Sequence, residues 1–61
     1  MGRRRIRELI VRLEQQRLRL EDVRLRARRQ GGPEGERLEK QAEVRLRDIE
    51  RRINALRASL E

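Results

Sequence analysis

The sequence predicts an all-α fold in which two helices form an antiparallel, coiled-coil-like hairpin that assembles into a four-helix bundle. In each half of the chain, apolar residues recur at alternating intervals of three and four, which is the spacing of a heptad seam. The one cluster of helix-breaking residues, around Gly31, Gly32 and Pro33, lies near the midpoint of the 61 residues. We therefore expect one domain, 1–61, with helices at about 3–30 and 34–60 and a turn at about 31–33.

Both helices carry a single apolar stripe. In the first helix, the a positions are Ile6, Leu13, Leu20 and Ala27, and the d positions are Leu9, Gln16 and Val23. The stripe of the second helix comprises Ala42, Leu46, Ile49, Ile53, Leu56 and Leu60, with the polar Glu39 at its start. These rows predict the seam between the two helices of the hairpin.

Folding the chain back at Gly31 predicts which residues face each other across the seam. Leu13 should face Ile49, and Ala27 should face Gly35 near the turn. Two layers would each hold one polar residue, Gln16 against Leu46 and Glu39 against Val23. On one flank of the seam, Arg24 should meet Glu36, Arg17 should meet Glu43, and Arg3 should lie unfavourably near Arg57.

The other flank is rich in arginine. Arg5, Arg12, Arg19 and Arg26 follow one row of the first helix, and Arg45 and Arg52 lie opposite. Guanidinium groups match phosphates in shape and charge, so this edge is a candidate site for anions or nucleic acid. The candidate contacts are Arg12, Arg19, Arg45 and Arg52. The alternative is a solvated edge, because no aromatic residue accompanies the arginines for base stacking.

A second apolar row lies away from the seam. Val11, Leu18 and Leu25 recur every seven residues at the f position of the first helix, and Val44 occupies f in the second helix. Singly exposed apolar residues are ordinary on protein surfaces. A regular row instead favours a second interface that another copy of the chain covers.

The composition excludes several kinds of chemistry. The chain has no His, Cys, Tyr, Trp or Phe, and 18 Lys and Arg residues outnumber 11 acids to give a net charge of +7. Imidazole and thiol chemistry are therefore absent, and we predict no enzyme activity, cofactor, metal or small-molecule ligand. The longest apolar run, Leu9-Ile10-Val11, falls far short of the roughly 20 residues that span a bilayer. We expect a soluble protein without a membrane span, intracellular if natural.

Two segments resemble parts of MerR-type transcription regulators. Arg4 to Leu25, RRIRELIVRLEQQRLRLEDVRL, is similar to that family's second helix pair, and Arg45 to Leu56, RLRDIERRINAL, is similar to its long dimerisation helix. The resemblance implies a dimerisation fragment whose long helix pairs antiparallel with that of another copy. The family's small-residue turn is replaced here by Gln16-Arg17-Leu18-Arg19, which predicts a continuous first helix.

Together these patterns predict a non-enzymatic, self-associating structural module, with a homodimer as the favoured oligomer. The regular heptads are equally compatible with an engineered, de novo hairpin. The alternative function is a basic nucleic-acid-binding module or a fragment of a dimeric transcription regulator. The two functions differ in their partner, which is either a second copy of this chain or a polyanion.

Overall fold

A computed structural model describes residues 2–61, and within them the chain forms two helices and no strand. Helix α1 spans Arg3–Gln30 and helix α2 spans Gly32–Ala58. The helices lie side by side in a rod of 45 × 14 × 13 Å. This arrangement confirms the all-α helical hairpin. Helix α1 has the predicted bounds, whereas α2 begins and ends slightly earlier than expected.

The reversal between the helices occurs at two glycines. Gly31 and Gly32 have φ values of +68° and +67°, a region that residues with a Cβ rarely adopt. The Gly31 N–H donates to the carbonyl oxygen of Ala27 at 3.2 Å, and the Gly35 N–H donates to that of Gly31 at 3.1 Å. Pro33 lies in the first turn of α2, where its missing N–H costs no helical hydrogen bond. A single residue therefore separates the two helices.

Helix α1 runs without interruption through Gln16-Arg17-Leu18-Arg19. Its last turn holds Arg28 and Arg29, whose positive charges suit the negative end of the helix dipole. The first turn of α2 similarly holds Glu34 at the positive end. The continuous α1 agrees with the expectation for this segment.

The core of the hairpin is one narrow seam. The buried apolar side chains are Ile6, Ala27, Ala42, Leu46, Ile49 and Ile53. Five further seam residues are half-buried, namely Leu9, Leu13, Leu20, Leu56 and Leu60. Because α2 supplies four of the six buried side chains, its predicted stripe agrees with the observed core more closely than the stripe of α1 does.

The predicted seam of α1 is wrong at two of its three d positions. Gln16 and Val23 are exposed, and Val23 retains 45% of its accessible surface. Ile10, Arg17 and Arg24 are half-buried and follow the a positions at a spacing of four. Helix α1 is therefore rotated so that its a and e rows, rather than its a and d rows, meet α2. The aliphatic stems of the two arginines can cover apolar surface while their charged ends reach solvent.

The polar contacts between the helices also differ from those expected. Arg57 does not lie against Arg3, and its guanidinium donates to Glu14 Oε1 at 2.9 Å, about three helical turns further along α1. Glu39 lies 3.9 Å from the guanidinium of Arg28. A repulsive contact in the predicted register is thus replaced by an ion pair in the observed one.

The two helices approach each other closely beside the turn. A Cβ added to Gly35 would lie 2.5 Å from the carbonyl oxygen of Ala27, too close for an unchanged backbone. Ala27 and Gly35 therefore face each other as predicted, and both are buried. Their small size lets the helices meet within about one helical turn of the reversal at Gly31.

Gly35→Ala should destabilise the protein. Ala normally improves a helix interior by about 0.5 to 1 kcal/mol over Gly. Here the collision with backbone should cost about 1 to 3 kcal/mol, so we expect a net loss of unfolding free energy. Chemical denaturation measures it. Gly2→Ala is the control, because its Cβ would meet nothing within 4 Å. Equal effects of the two substitutions would contradict the close approach.

Candidate interaction surfaces

A groove runs along one side of the seam. It consists of two depressions that share Gln16 and Arg52 and are therefore continuous. Its floor holds the apolar side chains Leu9, Leu13, Leu20, Ile49 and Leu56. The rotation of α1 opens this groove, because the d row lies along it instead of packing fully against α2.

The rim of this groove brings together the four arginines singled out in the sequence, Arg12, Arg19, Arg45 and Arg52. Arg52 lies 3.2 Å from the carboxylate of Asp48, which also lines the groove. Among residues 2–61, no carboxylate lies within ion-pair distance of Arg12, Arg19 or Arg45. We call this surface the arginine groove. It combines an apolar floor with a positively charged rim.

The opposite side of the seam has nearly balanced charges. Arg24 and Arg47 line a depression there with Glu21, Glu43 and Glu50. Arg17 and Arg57 line a second depression, again with Glu50. Opposite charges across this side favour the observed rotation of α1, since they place arginine stems near the seam with acids beside them.

A row of large apolar side chains projects from the outer surface of α1. The exposed fractions are 53% for Val11, 63% for Leu18 and 47% for Leu25. Because the three residues recur every seven positions, they form one strip along α1 in which successive members are about 10.5 Å apart. We call this strip the apolar ridge. The candidate second interface on α1 is thus exposed within the hairpin.

Acidic side chains accompany the apolar ridge. Residues three and four positions away on a helix are surface neighbours. By that spacing, Leu18 at the middle of the ridge adjoins Glu14, Glu21 and Asp22 and no arginine. The two ends of the ridge also adjoin basic side chains, with Arg7 beside Val11 and Arg28 and Arg29 beside Leu25. The sequence contains this pattern, although the prediction of a second interface included only the apolar positions.

Val44 does not extend the ridge. Its side chain is 57% exposed on α2, but the same row of α2 continues with Arg51 one heptad later. The ridge lies on the other helix. Val44 is therefore an isolated apolar residue within one hairpin rather than part of the strip formed by Val11, Leu18 and Leu25.

Comparisons with known proteins identify no relative of this chain. No family model, curated protein or solved structure matches it. The resemblance to MerR-type regulators stays a prediction from the sequence.

Within residues 2–61, no three potential metal-ligating His, Cys, Asp or Glu side chains are grouped together. Over the same residues, neither helix contains a stretch that is both long and apolar enough to cross a membrane.

Removing one arginine from each side of the hairpin should reveal their different surroundings. Arg24→Gln should lower the unfolding free energy by up to about 1 kcal/mol, because Arg24 lies among acids. Arg19→Gln should change it by about 0.5 kcal/mol or less, because Arg19 lies among other arginines. Urea denaturation measures both. The difference should shrink between about 0.01 M and 1 M salt, and a difference of the reverse sign would contradict the charge distribution.

Proposed function

We propose that this chain is a non-enzymatic, self-associating helical hairpin that serves as a structural oligomerisation module. Its partner is a second copy of the same chain, and two hairpins would form a four-helix bundle. This role applies equally to a natural module and to an engineered one. The observation that carries the proposal is the exposed row of Val11, Leu18 and Leu25 on an otherwise highly charged helix.

Burial of the ridge would contribute substantially to association. Fully burying a Val or Leu side chain is worth about 1.5 to 3 kcal/mol. The three exposed fractions in the ridge are together equivalent to more than one whole side chain. Covering them would therefore yield roughly 2 to 5 kcal/mol before the entropic cost of association. This gain is comparable to a large part of the stability of a small domain.

The total surface of the hairpin supports the same function. The folded chain exposes 5160 Å². A compact monomer of its mass, 7.4 kDa, would expose about 4200 Å². The excess is of the order of the 800 Å² that each partner buries in a standard protein interface. Association of two hairpins would thus remove about the amount of surface by which this one exceeds a compact fold.

The surroundings of the polar side chains give no support for catalysis. Asp22 and Asp48 lie 3.1 and 3.2 Å from the guanidinium groups of Arg26 and Arg52. The hydroxyl of Ser59 is exposed and donates to the carbonyl oxygen of Ala55 at 3.2 Å. Within residues 2–61, the hydrogen bonds pair this hydroxyl with a backbone carbonyl and not with the side-chain base that nucleophilic catalysis requires. We therefore assign these side chains to helix surfaces and a helix end.

Leu18→Glu combined with Leu25→Glu tests the proposal. Association would place both new carboxylates in an apolar interface, whereas they stay hydrated in the single hairpin. We expect the association constant to fall by at least about 100-fold, which corresponds to about 3 kcal/mol. Sedimentation equilibrium over a concentration series measures this constant for the unmodified and the substituted chains.

Gln41→Glu with Asn54→Glu is the matched control, since both positions are polar and exposed on α2. This control introduces the same two charges without touching the ridge, and it should associate as the unmodified chain does. A monomeric unmodified chain at every concentration would refute self-association. Equal association of the ridge variant and the control would exclude the ridge as the interface.

The gathering of four arginines at one groove favours a second candidate function, binding of nucleic acid. Such binding would depend mainly on phosphate contacts and would weaken steeply as salt rises. The apolar floor of the groove argues for a partner that also presents apolar side chains. Titration with duplex DNA at two salt concentrations separates this candidate from self-association.

A further inference from the structure

We propose that the apolar ridge of one copy docks into the arginine groove of the next, so that the copies associate head to tail. This inference rests on the proposed self-association and specifies its two surfaces. The ridge consists of Val11, Leu18 and Leu25, and the groove lies between α1 and α2 on the arginine side. The occupant of the groove is therefore a second copy of this chain.

The charges of the two surfaces are complementary. Around Leu18, the middle residue of the ridge, the side chains three and four positions away are Glu14, Gln15, Glu21 and Asp22, whereas arginines Arg12, Arg19, Arg45 and Arg52 form the rim of the groove. Within residues 2–61, Glu21 has no ion pair with another side chain, as is also true of three of the rim arginines. Docking would supply each surface with charges of the opposite sign around an apolar centre.

The spacing of these charges also agrees. Glu14 and Glu21 are one heptad apart, as are Arg12 and Arg19 on α1. Arg45 and Arg52 are one heptad apart on α2. Each pair therefore spans about 10.5 Å along its helix axis. A ridge helix lying along the groove could therefore place two of its acids beside two rim arginines at once. The same register would place successive apolar residues of the ridge on the apolar floor of the groove.

Contacts between identical surfaces would be unfavourable. A two-fold contact through the ridge would set the acids around Leu18 against the same acids of the other copy, and a two-fold contact through the groove would oppose arginines. Leu18 follows the groove residue Gln16 by two positions, which is about 160° around the helix. Ridge and groove floor thus lie on different faces of the hairpin. One copy can use both surfaces, and a docked pair leaves one ridge and one groove free for further copies.

A mixing experiment with two variants tests the head-to-tail arrangement. The ridge variant carries Leu18→Glu and Leu25→Glu and keeps its groove. The groove variant carries Arg45→Glu and Arg52→Glu, both at exposed positions of α2, and keeps its ridge on α1. Alone, each should associate at least about 100-fold more weakly than the unmodified chain. Mixed in equal amounts, they should form a one-to-one pair, because one intact ridge still meets one intact groove.

Lys40→Glu with Arg51→Glu controls for the changed net charge. Both positions are exposed on α2, outside the groove lining, and the substitutions change the charge by the same amount. This control should associate like the unmodified chain. Circular dichroism of each variant establishes that the hairpin is folded, and sedimentation velocity with one labelled partner detects the mixed pair.

The possible failures are distinguishable. If the unmodified chain associates and the groove variant associates equally well, self-association stands and the groove is overturned as its site. Absence of a mixed pair from two folded variants likewise overturns head-to-tail docking. A monomeric unmodified chain refutes the proposed function and this inference together. If the groove substitutions abolish binding of duplex DNA but leave association unchanged, the groove is a polyanion site and the inference is wrong.

Discussion

Each helix of this hairpin has only one neighbour, and that constraint determines which side chains lie in contact and which remain exposed. A helix packed against one partner can bury one stripe, whereas α1 carries apolar residues on two of its faces. Within residues 2–61, the seam buries six apolar side chains, whereas the ridge on the other face of α1 stays exposed. Helix α1 thus has two apolar faces but only one neighbouring helix, so its second face needs a further helix surface to cover it.

Charge determines how the single seam is used. Packing α1 through its d row would bring Arg12 and Arg19 closer to Arg45 and Arg52 across the arginine side. The observed rotation opens that side and draws Arg17 and Arg24 towards the acids of α2. The inter-helix ion pair between Arg57 and Glu14 lies on the same acid-containing side. The rotation that removes Gln16 and Val23 from the seam therefore reduces repulsion between arginines on one flank. On the other flank it brings arginines close to acids.

The sequence predicted the fold because its strongest signals are local. Heptad spacing defines helices, and the positive φ values at Gly31 and Gly32 need residues without a Cβ. The α1 face was predicted less well because apolarity alone favours Val23 over Arg24, and it neglects the aliphatic stem of arginine and the acids beside it. Spacing likewise indicated the ridge and the arginine edge. The groove between α1 and α2 could not be predicted, because it requires the rotation of α1, which depends on contacts between the helices and not on periodicity within one helix.

The central claim is that association stabilises a hairpin in which each helix has only one neighbour. Thermal unfolding of the unmodified chain at different concentrations tests this claim most directly. If folded copies associate with one another, the temperature midpoint of unfolding depends on the protein concentration. Circular dichroism should therefore show a midpoint that falls continuously over about a 100-fold dilution. A midpoint that stays constant over that range, with a monomeric mass throughout, would show that the seam alone maintains the fold and would contradict the account.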